Sequence, residues 1–373
     1  MPRVDPFANQ FAGAAANRTA SAAANTTAAL QGQEDGTLFD LGDFGSNPGN
    51  LRMLAFLPET LPRHAPLVVV LHGCTQNAAR YDQGAGWSTL AAAHGFALLY
   101  PEQVRANNAQ TCFNWFEAGD TRRGEGEAAS IAAAVAAMID RHDLDPARVF
   151  VTGLSAGGAM AGAMLATYPD VFAGGAIIAG LPYGVARGLP QALSAMAAPA
   201  AATGVRLGDH VRLASGHDGP WPRVSIWHGG ADRTVSARNG EAIAAQWRDV
   251  HGLADAVPSE SSDGRHGLSV WHNDGGVPVV ELNRIDGMAH GTPLEAGSDG
   301  SAAGPFMLDV GIGSSARIAE FWGLTEAPAP RPAQRTSPSK PAPHNPAPTA
   351  PTPQGFDIGK AIADAMRSAW RFN

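Results

Sequence analysis

Short apolar runs alternate along the middle of the chain with longer stretches in which apolar residues recur every three or four positions. The runs at 67–72, 96–100, 148–152, 174–179, 223–228 and 277–285 predict strands, and the stretches at 86–94, 125–142, 156–168, 236–250 and 313–323 predict helices. Strand following helix in this rhythm predicts an α/β domain, a doubly wound and mostly parallel sheet flanked by helices. Ahead of it, Thr37–Phe44 and Leu51–Leu57 predict two further strands around a Gly-Ser-Asn-Pro-Gly turn. Residues 184–222 and 252–276 follow neither period and are expected as insertions near the site, where selectivity usually resides.

The ends break this rhythm. Residues 1–36 are rich in Ala, Asn and Thr and predict a low-complexity arm; 37–324 hold the α/β domain. Residues 325–354 are proline-dense and predict an extended linker. In 355–373, Ile358, Ile362, Met366 and Trp370 fall at i+4 spacing and make one apolar stripe on a short helix. A helix of about sixteen residues is marginal alone. It is expected either to dock on its own domain or to tether the chain to an apolar surface.

The strand at 148–152 runs directly into Gly153-Leu-Ser155-Ala-Gly157. Gly-x-Ser-x-Gly recurs by chance, and alone it reads as a plain strand–turn–helix corner. Here a buried strand pattern precedes it, and a helix ending at Pro169 follows. It resembles the nucleophile elbow of an α/β-hydrolase, in which a sharp turn lifts the serine above the sheet and bare neighbours admit close backbone. Such a serine needs a base, and the base needs an orienting acid, in the chain order Ser, Asp, His. Asp232 sits in a Gly-rich loop after the strand at 223–228, although an N-cap or turn aspartate fits there too. His290 follows the last strand in a loop of small residues. His228 precedes the acid and would reverse the order; Asp286 lies only four residues before His290. His210, His217, His251, His266 and His272 lie in polar, loop-like stretches and read as solvated. The oxyanion donors are expected from the Cys74 amide, turned in by Gly73, and the Ala156 amide. His72 reads as a structural hydrogen-bonding residue.

With these segments aligned, the chain resembles the poly(3-hydroxybutyrate) depolymerase family of esterases, neighbours of the feruloyl and acetylxylan esterases. The similar stretches include Leu71-His-Gly-Cys-Thr-Gln76, Cys112-Phe-Asn-Trp-Phe116, Gly180-Leu-Pro-Tyr183, Trp227-His-Gly-Gly-Ala-Asp232 and Gly287-Met-Ala-His290. The resemblance implies Ser155 as nucleophile, Asp232 as orienter and His290 as base, with Cys74 and Ala156 as oxyanion donors. It also implies substrate contacts from Trp115, Gln76 and Tyr183, although Trp115 equally fits a core aromatic. It implies no cofactor, and no histidine–carboxylate spacing resembles a metal motif. The substrate implied is a poly- or oligo-3-hydroxyalkanoate; a feruloyl or acetylated polysaccharide is the alternative, and a non-catalytic surface-binding relative a third.

The resemblance further implies a Cys74–Cys112 disulfide, the alternative being two buried thiols. A structural disulfide belongs in an oxidising compartment. The first ten residues lack a basic start and apolar core, so they do not read as an ordinary secretory signal. The expected location is extracellular or periplasmic. The 373 residues carry a net charge of −8 with scattered basic residues, which argues against a nucleic-acid surface. No apolar stretch is long enough for a transmembrane helix.

Overall fold

The computed structural model describes residues 38–198, 207–298 and 300–325. The expected arm at 1–36, the proline-dense segment beyond 325 and the helix carrying Ile358, Ile362, Met366 and Trp370 lie outside the described residues.

Ten strands make one sheet. In chain order they are β1 (Phe39–Asp40), β2 (Arg52–Phe56), β3 (Leu67–Leu71), β4 (Ala97–Glu102), β5 (Val149–Leu154), β6 (Gly174–Ile178), β7 (Arg223–Gly229), β8 (Ser259–Asp263), β9 (His266–His272) and β10 (Pro278–Ile285). Their spatial order is β1-β2-β4-β3-β5-β6-β7-β10-β9-β8. The central six, from β4 to β10, run parallel. The remaining strands pair antiparallel at the two edges. A small parallel pair, β11 (Thr292–Leu294) and β12 (Met307–Asp309), stands apart.

The helices are α1 (Ala78–Ala85), α2 (Trp87–His94), α3 (Ala118–Thr121), α4 (Gly126–His142), α5 (Ala156–Thr167), α6 (Leu189–Ala197), α7 (Leu207–Ser215), α8 (Arg238–Val250) and α9 (Ser314–Phe321). The strand pleat divides the core. Leu67, Val69 and Leu71 pack with Ile131, Met164 and Trp247 from α4, α5 and α8. Val68 and Val70 face the opposite layer, with Tyr81, Trp87 and Ile318 from α1, α2 and α9. A strand covered on both faces must be apolar throughout, which is why β3 reads Leu-Val-Val-Val-Leu. This is the α/β-hydrolase arrangement, and parallel strands bring the loops after β3, β5, β7 and β10 to one end of the sheet.

Three local expectations change. The first strand shrinks to two residues because Asp40 Oδ1 accepts the Gly42 N–H at 3.0 Å and turns the chain. Helix α1 has no clear apolar stripe in sequence, but Asn77 caps it by accepting the Arg80 N–H at 2.9 Å. Residues 252–276, expected as an insertion with neither period, contain the β8–β9 hairpin, which lengthens the sheet at its edge. All five β8 residues are exposed, so this edge strand is polar on both faces and shows no period. Among the described residues, no helix is long and apolar enough to cross a membrane.

Candidate active site

β5 delivers Ser155 into a backbone conformation of φ 57° and ψ −116°, a strained setting for a residue with a side chain. Close approach forces the glycines around it. A Cβ on Gly153 would lie 2.4 Å from the Gly157 carbonyl carbon, and one on Gly157 would lie 2.4 Å from the Leu71 oxygen. No side chain fits either gap. The Ser155 N–H donates to Ile178 O at 2.8 Å, tying the turn to β6. All twelve α5 residues are buried, so the helix behind the serine is built from Ala, Gly, Met and Leu, with a single Thr167 at its end.

The loops after β7 and β10 bring two side chains to this serine. His290 Nδ1 lies 2.7 Å from Asp232 Oδ2, and His290 Nε2 lies 2.9 Å from Ser155 Oγ. A carboxylate only accepts, so Nδ1 carries the proton and Nε2 accepts the serine hydroxyl. The chain Ser155–His290–Asp232 can therefore pass the serine proton to the imidazole. Burial raises the Asp232 pKa, but hydrogen bonds from His228 and His290, the His290 charge and the Val235 amide outweigh it. The carboxyl is held well below its ordinary value. The Thr234 and Val235 amides both donate to Oδ1, at 2.8 and 2.9 Å.

His228 is absent from the simple three-residue reading, yet it touches the acid. Its Nε2 lies 3.4 Å from Asp232 Oδ2 and 3.0 Å from Val235 O. Both neighbours accept, so Nε2 carries the proton. Its Nδ1 is buried without a hydrogen-bond partner among the described residues.

The loop after β3 abuts the elbow. Cys74, Cys112 and Ala156 share one buried cluster, and Cys74 is disulfide-bonded to Cys112. The Cys74 amide has no hydrogen-bond partner among the described residues. Ala156 opens α5, where amides lack intrahelical acceptors. His72 Nε2 accepts the Gln103 N–H at 3.1 Å, so its Nδ1–H donates to Gly73 O at 2.8 Å. Burial lowers its pKa, and the ring is a neutral strut.

Of the expected substrate contacts, one sits at this cluster directly. Trp115 is half-buried against the Cys74/Ala156 cluster and against Leu181 and Val235. Gln76 is spent on the loop itself: its Oε1 accepts the Gly73 N–H at 2.9 Å, and its Nε2 donates to Pro305 O at 3.4 Å. The Tyr183 backbone is clasped by Gln246, and the side chain packs against the main core. His266 is not solvated. It is buried in β9, 2.8 Å from Asn283 Oδ1, and stacked on Trp227. His251 is likewise largely covered, 3.1 Å from Pro222 O, and burial lowers its pKa.

Phe306 escapes the sequence reading altogether. It is half-buried against the Cys74/Ala156 cluster, and its ring meets the His290 imidazole edge-on, with centroids 6.1 Å apart at 82°.

The comparisons agree with this architecture. The family model Esterase PHB depolymerase matches residues 53–266. The chain is 45% identical over 291 residues to a poly(3-hydroxyalkanoate) depolymerase C of Paucimonas lemoignei, across 77% of this chain and 70% of that one. It is 34% identical over 271 residues to an acetylxylan esterase of Coprinopsis cinerea, across 71% of each. An acetyl xylan esterase from Aspergillus awamori superposes with a TM-score of 0.66 at 25% identity, covering 78% of this chain and 100% of that one. The chain thus belongs to the PHB depolymerase family of esterases and is a carboxylic ester hydrolase on the α/β-hydrolase fold.

Proposed function

We propose that the protein hydrolyses poly- or oligo-3-hydroxyalkanoate esters through an acyl-enzyme on Ser155. The observation that carries this reading is the hydrogen-bonded chain from Ser155 Oγ through His290 to Asp232. His290 takes the serine proton as Oγ attacks the ester carbonyl, and Asp232 stabilises the imidazolium. The developing oxyanion is received by the Cys74 and Ala156 amides, each such donor being worth about 3 kcal/mol in the transition state. The alcohol leaves with the proton from His290. Water then repeats the cycle and frees the acid. The hydroxyalkanoate substrate is supported by the 45% identity to a chain named for that activity. Trp115 supplies an apolar surface for the substrate. The disulfide supports an extracellular or periplasmic location.

A second reading, deacetylation of a plant polysaccharide, is favoured by the superposition on an acetyl xylan esterase. A panel of hydroxybutyrate oligomers, solid polyester, acetylated xylan, feruloylated sugar and p-nitrophenyl esters separates the two. Hydroxybutyrate oligomers are expected to have the highest kcat/KM, and a preference for acetylated xylan would replace the first reading. Ser155→Ala is expected to lower turnover by more than about a thousandfold while the protein stays folded. Retained turnover above that level would remove the serine from its role.

A further inference from the structure

The segment 304–307 makes a tight turn. Gly304 and Met307 exchange both backbone hydrogen bonds, at 3.0 and 2.9 Å. Pro305 occupies the second position and Phe306 the third, with φ +63°. Proline followed by a positive φ is the pattern of a type II turn, whose third position is normally glycine or asparagine. A bulky aromatic there is a true outlier.

The surroundings leave it no alternative. Phe306 O accepts the Thr292 N–H at 2.8 Å. A Cβ on Gly291 would sit 2.7 Å from that same oxygen, so the residue after His290 must be bare. Gln76, which braces the Gly73 amide, also reaches Pro305 O. The strained turn is thus fixed to both the His290 loop and the oxyanion loop. Strain that the surroundings hold in place clusters at functional sites.

The direction the ring faces gives it a task. In the tetrahedral intermediate, the oxyanion points to the Cys74 and Ala156 amides. The departing alkoxy oxygen must reach His290 Nε2 to collect its proton. Phe306 packs on both the imidazole and the Cys74/Ala156 cluster, and so borders the path of the alcohol.

We propose that Phe306 is a specificity residue for the leaving alcohol: its ring, held in a strained turn, forms the wall against which the alcohol portion of the ester lies. This rests on the acyl-enzyme reading above. An apolar wall at that position suits an aliphatic secondary alcohol, as in a 3-hydroxyalkanoate chain, better than a hydrated sugar hydroxyl.

The test uses two ester series on the full chain carrying Phe306→Ala. One series holds the 3-hydroxybutyryl group and varies the alcohol; the other holds p-nitrophenol and varies the acyl length. For aliphatic alcohols, kcat/KM is expected to fall by at least about tenfold relative to the p-nitrophenyl ester. The order of preference in the acyl series is expected to stand. A reordered acyl series with an unchanged alcohol series would overturn the proposal, as would no change in either. If Phe306→Ala fails to fold, Phe306→Gly, which also removes the wall and adopts φ +63° without strain, is read the same way. Labelling by a fluorophosphonate in the wild type and in each variant separates this proposal from the one beneath it. An unlabelled wild type overturns the acyl-enzyme reading, whereas labelled variants with wild-type alcohol preference overturn only the role of Phe306.

Discussion

His228 Nε2 lies 3.4 Å from Asp232 Oδ2, the same oxygen that holds His290 at 2.7 Å. Two imidazoles therefore crowd one carboxylate, and only one of them reaches Ser155. The second also donates to Val235 O, which closes the loop from β7 round to the residue whose amide binds Asp232 Oδ1. His228 holds the acid in place through the backbone.

Replacing it is expected to cost both stability and rate. His228→Phe leaves the Val235 carbonyl without its donor, a loss of about 1–3 kcal/mol. Drift of Asp232 is expected to lower kcat/KM by roughly tenfold to a hundredfold. His228→Gln, whose amide can donate to the same carbonyl, is expected to recover most of both. Denaturant titration and steady-state rates on a soluble ester check this; equal losses in the two variants would remove the positioning role.

The disulfide spans 38 positions and joins the loop after β3 to the segment bearing Trp115. Reduction releases a loop whose closure is worth about 4 kcal/mol in the chain-entropy model. Dithiothreitol is expected to lower the melting temperature. It is also expected to lower kcat, because Cys74 carries a proposed oxyanion amide. A melt unchanged by reductant would mean that packing alone fixes this loop.

Much of this site was legible because it depends on local patterns. Gly153 and Gly157 announce the elbow, since a side chain at either meets backbone at 2.4 Å. Asp232 and His290 each follow an apolar strand, and the carboxyl ends of parallel strands converge. Phe306 was hidden for the opposite reason. It lies in the short run Ser-Ala-Ala-Gly-Pro-Phe, which shows neither a helix nor a strand period, and its contact with His290 is a product of tertiary folding. The Pro305–Phe306 pair, an aromatic where a turn favours glycine, was the available signal. The hairpin of β8 and β9 was missed because Ser-Glu-Ser-Ser-Asp is exposed on both faces and leaves no period to read.

Glu127 gives a prediction in pH. It lies in the first turn of α4, almost fully buried, with Oε1 on Gln103 Nε2 and Oε2 on the Asn114 amide. Burial first, then the charge of Asp120, pushes its pKa up from 4.5 to about 8. Folding thus favours the protonated acid. Its contribution to stability is full below pH 4.5 and drains away as the pH rises to about 8. Melting curves across that window are expected to fall less steeply for Glu127→Gln, which cannot ionise, than for wild type. Parallel slopes would mean that the carboxyl titrates as it does in the unfolded chain.

The strain at Phe306 predicts an inversion of the usual ranking of glycine and alanine. Both substitutions remove the ring, so both lose the same packing against His290 and the Cys74/Ala156 cluster. They differ in the backbone. At φ +63° an alanine Cβ crowds the neighbouring carbonyl, whereas glycine occupies that region freely. Elsewhere glycine is the less stable choice, because the unfolded chain gains freedom. Here Phe306→Gly is expected to be more stable than Phe306→Ala by about 1 kcal/mol. The two are expected to share the same loss of preference among leaving alcohols. Chemical denaturation of the pair measures the first difference, and the alcohol series measures the second. If alanine proved the more stable, the turn would carry no strain, and the reason for an aromatic at that position would rest on its contacts alone.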